Sequence, residues 1–208
     1  MSGDLAALFW TLERLKRTRR TGWVDRGVPE AEVESVADHT LLTALLAWLA
    51  AQGEPDLDPV RVLKLALIHD LAEAIVGDQP PYEPHEVPAR EDRDALRAFF
   101  RVRHLRSPEN AARKRQAERE ATERILALLP ANARDEVRAL WNEYEAQATP
   151  EARFVKQVDR LEAYLQSRAY AASDPDLPLD GFADMADKEI DHPALVAIRE
   201  AARTTGGA

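Results

Sequence analysis

Residues 59–70 read Pro59-Val60-Arg61-Val62-Leu63-Lys64-Leu65-Ala66-Leu67-Ile68-His69-Asp70, and the chain continues Leu71-Ala72-Glu73-Ala74-Ile75-Val76-Gly77-Asp78. Val62, Leu63, Leu65, Ala66, Ile68 and Leu71 leave few polar positions on a 3.6-residue period. A helix that is apolar nearly all round belongs in the middle of a bundle. Asp58-Pro59 supplies its start, since proline suits the first helical position. Gly77 and Pro80-Pro81 supply its end. The composition agrees: only 8 of 208 residues are glycine, and Ala, Leu, Glu and Arg, which lose least on entering a helix, dominate. No stretch alternates with period 2 for long enough to argue for a sheet. The expected fold is all-α, a single helical bundle.

Working outward, a first helix is expected from Asp4 to about Arg17, with Leu5, Leu8, Leu12 and Leu15 on one face. Arg19–Pro29 is turn-rich. Ser35, with Asp38 three residues on, caps a second helix that carries Val36, Leu41, Leu42, Leu45, Leu46 and Leu49. Proline-rich residues 79–89 read as a loop, and 90–106 as a further helix through Leu96, Phe99, Phe100 and Val102. Helices follow over Glu109–Leu129, Asn132–Ala148, Pro150–Ala172 and His192–Arg203. Asp174–Gly181 is read as a loop and Thr204–Ala208 as a frayed end.

Hydrophobic residues at 45% and charged residues at 31% describe a globular chain. The formal net charge of -9 argues against binding of extended nucleic acid, while leaving room for a local basic pocket that takes one phosphate. There is no cysteine, so any metal site uses His, Asp and Glu. The apolar stretch Leu5–Leu12 precedes the basic cluster Lys16–Arg20, the reverse of a secretory signal. The run Leu41–Ala51, interrupted by Thr43, is far below the roughly 20 residues that span a bilayer. A cytoplasmic protein is expected.

Placing His69, Asp70 and Glu73 among apolar neighbours is costly unless each is paired, hydrogen-bonded or bound to a metal. Glu73 follows His69 by four residues and Asp70 by three, so it shares their face, and past Gly77 the chain can turn Asp78 toward the same spot. His39, in Glu34-Ser35-Val36-Ala37-Asp38-His39, lies one turn into another apolar helix. These residues fit either a metal site or satisfied core polar groups. Asp159, in Lys156-Gln157-Val158-Asp159, flanks the stripe Phe154, Val155, Val158, Leu161 and Leu165; taken singly it reads as a surface aspartate paired with an arginine.

Several strings occur in one order: Leu15-Lys16-Arg17, Arg20-Thr21-Gly22-Trp23-Val24, Glu34 to His39, His69 to Glu73, Ile75-Val76-Gly77-Asp78, Leu140-Trp141-Asn142-Glu143-Tyr144-Glu145, and Phe154 to Asp159. Together the chain resembles the HD-domain superfamily of metal-dependent phosphohydrolases, and within it the HD-domain 5'-deoxynucleotidases, over roughly residues 5–172. The resemblance implies a single HD domain over 1–208. It implies that His39, His69, Asp70 and Asp159 hold one divalent metal, with Glu73 and Asp78 near the attacking water and the leaving oxygen in exchangeable roles. Mixed imidazole and carboxylate ligands suit Mn, Co, Fe, Ni or Zn. It also implies substrate contacts at Arg20 and Trp23, with membership of the solvated basic cluster Arg17–Arg20 as the alternative for Arg20. A homodimer is implied as well, and exposed apolar residues on the last helices are candidates for its interface. The chain departs from its relatives at Gly27, where asparagine is usual. It departs again over about 80–113, a longer segment read as surface decoration, with a place near the substrate pocket as the alternative.

The implied reaction is hydrolysis of deoxyribonucleoside 5'-monophosphates. The alternatives are another phosphate ester, such as a deoxynucleoside triphosphate or an alarmone, and a metal-binding helical scaffold without turnover. An HD-like oxygenase would need further histidines; His85, His104 and His192 are read as structural or surface residues.

Overall fold

The computed structural model describes residues 2–102 and 104–204; apart from Thr204, the expected frayed end lies outside them. Helix α1 covers Ser2–Glu13 and runs into a 3-10 turn, Arg14–Lys16. It is followed by α2 Thr21–Asp25, α3 Val36–Ala51, α4 Pro59–Ile68 and α5 Glu73–Val76. After a second 3-10 turn at Pro84–Glu86 come α6 Arg93–Arg101, α7 Pro108–Leu126 and α8 Ala131–Ala146. The remaining helices are α9 Pro150–Ser173, α10 Asp180–Glu189 and α11 Pro193–Thr204. Among the described residues the only bridge is an isolated one, Arg19 to Ser35. The fold is all-α.

The helix starts obey their caps. Ser35 Oγ accepts from Asp38 N at 3.2 Å while Asp38 Oδ2 accepts from Ser35 N at 2.8 Å, a closed capping box. Asp58 Oδ1 accepts from Val60 N at 2.9 Å ahead of Pro59, and Ser107 Oγ from Asn110 N at 3.1 Å. Caps of this kind contribute about 1 kcal/mol each. Two elements escaped the sequence reading. Helix α2 lies in the segment read as turns, and α10 was missed because its apolar residues, Phe182, Met185 and Ala186, are few among charged ones.

The described residues form two compact units. The first takes the chain up to Arg20, then Glu34–Gln79 and Arg106–Val155; the second takes Thr21–Val33, Pro80–Leu105 and the residues from Lys156 onward.

In the first unit α3 packs on α4, α4 on α8 and α5 on α7. The buried side of α3 is not its leucines but Val36, His39, Thr43, Ala44, Ala47 and Ala51, small residues that let neighbouring backbone come close. Leu41, Leu42, Leu45, Trp48 and Leu49 are turned outward instead. Helix α4 is likewise one-sided: Val62, Leu65, Ala66 and Ile68 are buried, while Val60 and Leu67 are exposed. It also ends earlier than its hydrophobic pattern suggests. After Ile68 the backbone tightens, with Leu71 N donating to Ile68 O, Glu73 N to Asp70 O and Ala74 N to Leu71 O. These are three-residue turns, in which side chains three apart eclipse, so Glu73 is stacked on Asp70 more directly than in an α-helix.

In the second unit Trp23, Val28, Val33, Ala163, Tyr170 and Leu179 form one core cluster. Tyr82, Leu96 and Phe100 form another. Helix α10 packs on α6, and at Gly181 a Cβ would stand 2.6 Å from Phe100 O, so only glycine admits this approach.

Candidate metal centre and active site

Three of the residues singled out in sequence converge in the first unit. His39 comes from the second turn of α3, His69 from the C-cap of α4, and Asp70 from the tight turn after it. His39 is fully buried and His69 nearly so. Asp70 Oδ2 lies 3.1 Å from His69 Nε2 and 3.7 Å from His39 Nε2, and the two imidazole centroids are 5.4 Å apart. Tyr144 of α8 lies edge-on to His69, 5.6 Å between centroids.

The protonation of His69 follows from its surroundings. Its Nδ1 is 2.6 Å from Ala66 O, and a carbonyl only accepts, so Nδ1 carries the proton. With Nδ1 so occupied, the buried Nε2 is the atom turned toward a carboxylate oxygen, and it makes no hydrogen bond of good geometry. Lone pairs of two groups facing each other at 3.1 Å repel unless a cation lies between them. The tautomer-fixing backbone contact is the usual support of a metal-ligating histidine. The three donors therefore fit a divalent metal.

Arg20 is not part of a solvated cluster. Arg17 is exposed and pairs with Glu13, whereas Arg20 is mostly buried, with Nη1 3.6 Å from Asp70 Oδ2 and Nε 3.9 Å from Glu34 Oε1. Burial by itself raises the pKa of Asp70, but His69, His39 and Arg20 outweigh it and hold this carboxyl well below the usual range. Glu73 is shifted the opposite way. Burial, then the negative charges of Asp70 and Asp78, push it well above the ordinary value, against the opposing pull of Arg20 and Lys114. Its Oε2 is buried without a hydrogen bond. Asp78 follows Gly77, whose φ of +76° reverses the chain, as the glycine suggested. Tyr144 stood in a quoted motif and Glu34 in another, but neither had been given a role. Lys114 gave no signal among the many charges of α7.

Asp159 and Trp23 belong to the second unit. Asp159 is buried on α9, not on the surface, with Oδ2 2.9 Å from Lys156 Nζ and 3.8 Å from Arg160 Nη1. Trp23 is 2% exposed, stacked on Phe182 with centroids 4.4 Å apart and edge-on to Tyr170 at 5.2 Å. Packing accounts for that side chain within its own unit. His104, stacked on Phe99 at 4.0 Å, is structural as expected.

An all-helical chain that gathers two histidines and an adjacent aspartate from successive helices has the architecture of an HD domain. The HD-domain family model matches residues 12–192, and the chain belongs to that family. It is similar to the human 5'-deoxynucleotidase HDDC2, 36% identical over 200 residues that cover 92% of this chain and 82% of that protein. It is similar to the 5'-deoxynucleotidase hdd1 of Schizosaccharomyces pombe, 33% identical over 159 residues, 76% of this chain and 68% of that one. Among solved structures, a conserved hypothetical protein from Pyrococcus furiosus superposes with a TM-score of 0.68 at 28% identity, covering 96% of this chain and 99% of that chain. No helix among the described residues is long and apolar enough to cross a membrane.

Proposed function

We propose that this chain is a metal-dependent 5'-deoxynucleotidase that hydrolyses deoxyribonucleoside 5'-monophosphates to deoxynucleoside and inorganic phosphate. The observation that carries the reading is the convergence of His39, His69 and Asp70, with Arg20 beside them and the buried Glu73 carboxyl within electrostatic reach. The 5'-deoxynucleotidase names of its relatives support the substrate class.

In the mechanism His39, His69 and Asp70 would hold one divalent metal; Asp159, on the second unit, is a ligand that the family resemblance alone implies. When bound, a divalent metal lowers the pKa of water and offsets phosphate charge. Two imidazoles among the ligands favour a transition metal such as Mn, Co, Fe, Ni or Zn. Arg20 presents a guanidinium that pairs with a phosphate oxygen, its stem buried and its head already beside Asp70. Glu73 takes a proton from the attacking water. The new bond forms between that water oxygen and phosphorus, the bond from phosphorus to the 5' oxygen breaks, and the proton that Glu73 took passes to the departing oxygen, the side of the reaction assigned to Asp78. Glu73 is suited to the task because a carboxyl raised toward neutrality is a better base at working pH. A cytoplasmic location goes with this substrate class.

Phosphate release from the deoxynucleoside monophosphates, measured across a series of added divalent metals, tests the reading. Ribonucleotides, a deoxynucleoside triphosphate and a guanosine tetraphosphate serve as comparisons. Release from the deoxynucleoside monophosphates is expected only with metal. Turnover confined to the triphosphate or the tetraphosphate overturns the substrate assignment.

A homodimer belongs to the same proposal, and its support lies on α3 rather than on the last helices. Leu41, Leu42, Leu45, Trp48 and Leu49 are 37–59% exposed, a concentration of apolar surface of the kind that marks an interaction face. Leu45→Glu is expected to convert a dimer to a monomer in analytical ultracentrifugation while leaving helicity unchanged. A wild-type chain that sediments as a monomer refutes the assignment.

A further inference from the structure

The longer segment after Pro80 does more than cover the surface. Together with Arg26-Gly27 and the loop before α10 it encloses a cavity of about 140 Å³ within the second unit, lined among others by Arg26, Arg90, Arg93 and Leu177. We propose that this cavity is a second binding site for a phosphoryl anion, built from residues of the second unit and using none of His39, His69 and Asp70. The proposal does not depend on the nucleotidase reading.

Charge is the first support. Three arginines line the cavity against two carboxylates, Asp174 and Asp176, in a chain whose formal net charge is -9. Asp176 is engaged twice, by Arg97 at 2.9 Å and by Arg93 at 3.6 Å. Arg26 and Arg90 are instead positioned by neutral carbonyls, Arg26 Nη1 donating to Gly22 O at 2.8 Å and Arg90 Nη2 to Val24 O at 3.1 Å. Tyr82 and the charge of Asp25 also act on Arg26, while the carbonyl bonds fix each guanidinium without neutralising it.

The setting of Arg26 is the second support. Its guanidinium carbon lies 4.0 Å from the Phe100 ring centroid and 4.7 Å from that of Phe182, and its Nε is buried with no hydrogen bond. Burial pushes its pKa below the ordinary arginine value. A guanidinium held rigidly between rings and by a backbone carbonyl is preorganised for an oxyanion, which would offset its buried charge.

Shape limits the ligand. At about 30 Å³ per water in the liquid, 140 Å³ holds a tetrahedral oxyanion and a few waters rather than a whole nucleotide. Gly27 borders the space: its φ is +89°, which strains any other residue, and a Cβ there would lie 3.9 Å from Leu177 Cδ2, in ordinary contact. A side chain at this position would begin against a lining residue.

The test is calorimetric titration of inorganic phosphate into the full metal-loaded chain, into Arg90→Ser/Arg93→Ser, and into Gly27→Asn. Arg90 and Arg93 are exposed at the cavity rim, so the double variant is expected to fold. The wild type is expected to show a phosphate site that deoxynucleoside monophosphate does not compete away. The double variant should weaken that site by about a hundredfold, near tenfold for each charge-assisted contact, and Gly27→Asn should weaken it independently. Turnover of phosphate esters should be unchanged in the double variant. Identical isotherms for all three chains, or a single phosphate site fully displaced by nucleotide, would overturn the proposal.

Discussion

Asp70→Asn is expected to lower phosphate release from deoxynucleoside monophosphates by about a thousandfold or more. One carboxylate oxygen lies within 3.1 and 3.7 Å of two imidazole nitrogens and 3.6 Å of Arg20. The amide removes the anionic donor and leaves two imidazoles and a guanidinium facing a neutral group. Several kcal/mol of transition-state charge stabilisation go with the metal, and about 4 kcal/mol corresponds to a thousandfold in rate. Metal content of the purified variant, read by elemental analysis, should fall well below one equivalent, and circular dichroism should be preserved. Retained metal with near-normal turnover would remove Asp70 from the site. A stability signature accompanies the change in metal-free protein. Because His69, His39 and Arg20 outweigh burial and hold Asp70 below the usual carboxyl range, its folded state contributes stability above the unfolded pKa and loses it only as pH falls through the lower, folded value. Asparagine should therefore destabilise the metal-free chain at neutral pH and much less in strong acid.

The candidate metal cluster was legible because burial makes polar residues conspicuous in an apolar helix. His39, His69, Asp70 and Glu73 stood out against leucine, valine and alanine, and three of the four meet at one point. What periodicity could not supply was the direction each helix faces. The leucines of α3 looked like its core face, yet alanines and Thr43 are buried and the leucines exposed. A hydrophobic face meant for a partner and one meant for the interior have the same pattern in sequence. The break after Ile68 was equally hidden, since His69, Asp70, Leu71 and Ala72 are ordinary helix residues and the tightening appears only in the backbone bonds. Arg20 was ambiguous for a different reason. Arg17 and Arg20 are the same residue type three positions apart, and only the fold exposes one and buries the other against Asp70.

Glu73→Gln separates chemistry from metal binding and should do so with two opposite effects. Glu73 does not belong to the cluster of His39, His69 and Asp70, so the variant is expected to keep its metal. Without a group to take the proton from water, kcat should fall by about a hundredfold to ten-thousandfold, the usual range for a positioned base, with little change in KM. Stability should move the other way in the metal-free chain. Burial and the charges of Asp70 and Asp78 raise the Glu73 pKa well above 4.5. Between the unfolded and folded pKa values the folded state binds more protons than the unfolded one, so stability falls as pH rises through that window. The wild-type carboxyl is thus a liability near neutral pH that glutamine removes at almost constant shape. Calorimetric melting of metal-free protein should show Glu73→Gln above wild type at neutral pH, with the two converging below about pH 4, where both states of the carboxyl are protonated. A variant that melts lower than wild type at neutral pH, or that turns over normally, shows Glu73 to be a packing residue. Higher melting with lost turnover identifies a carboxylate kept for chemistry at the expense of the fold.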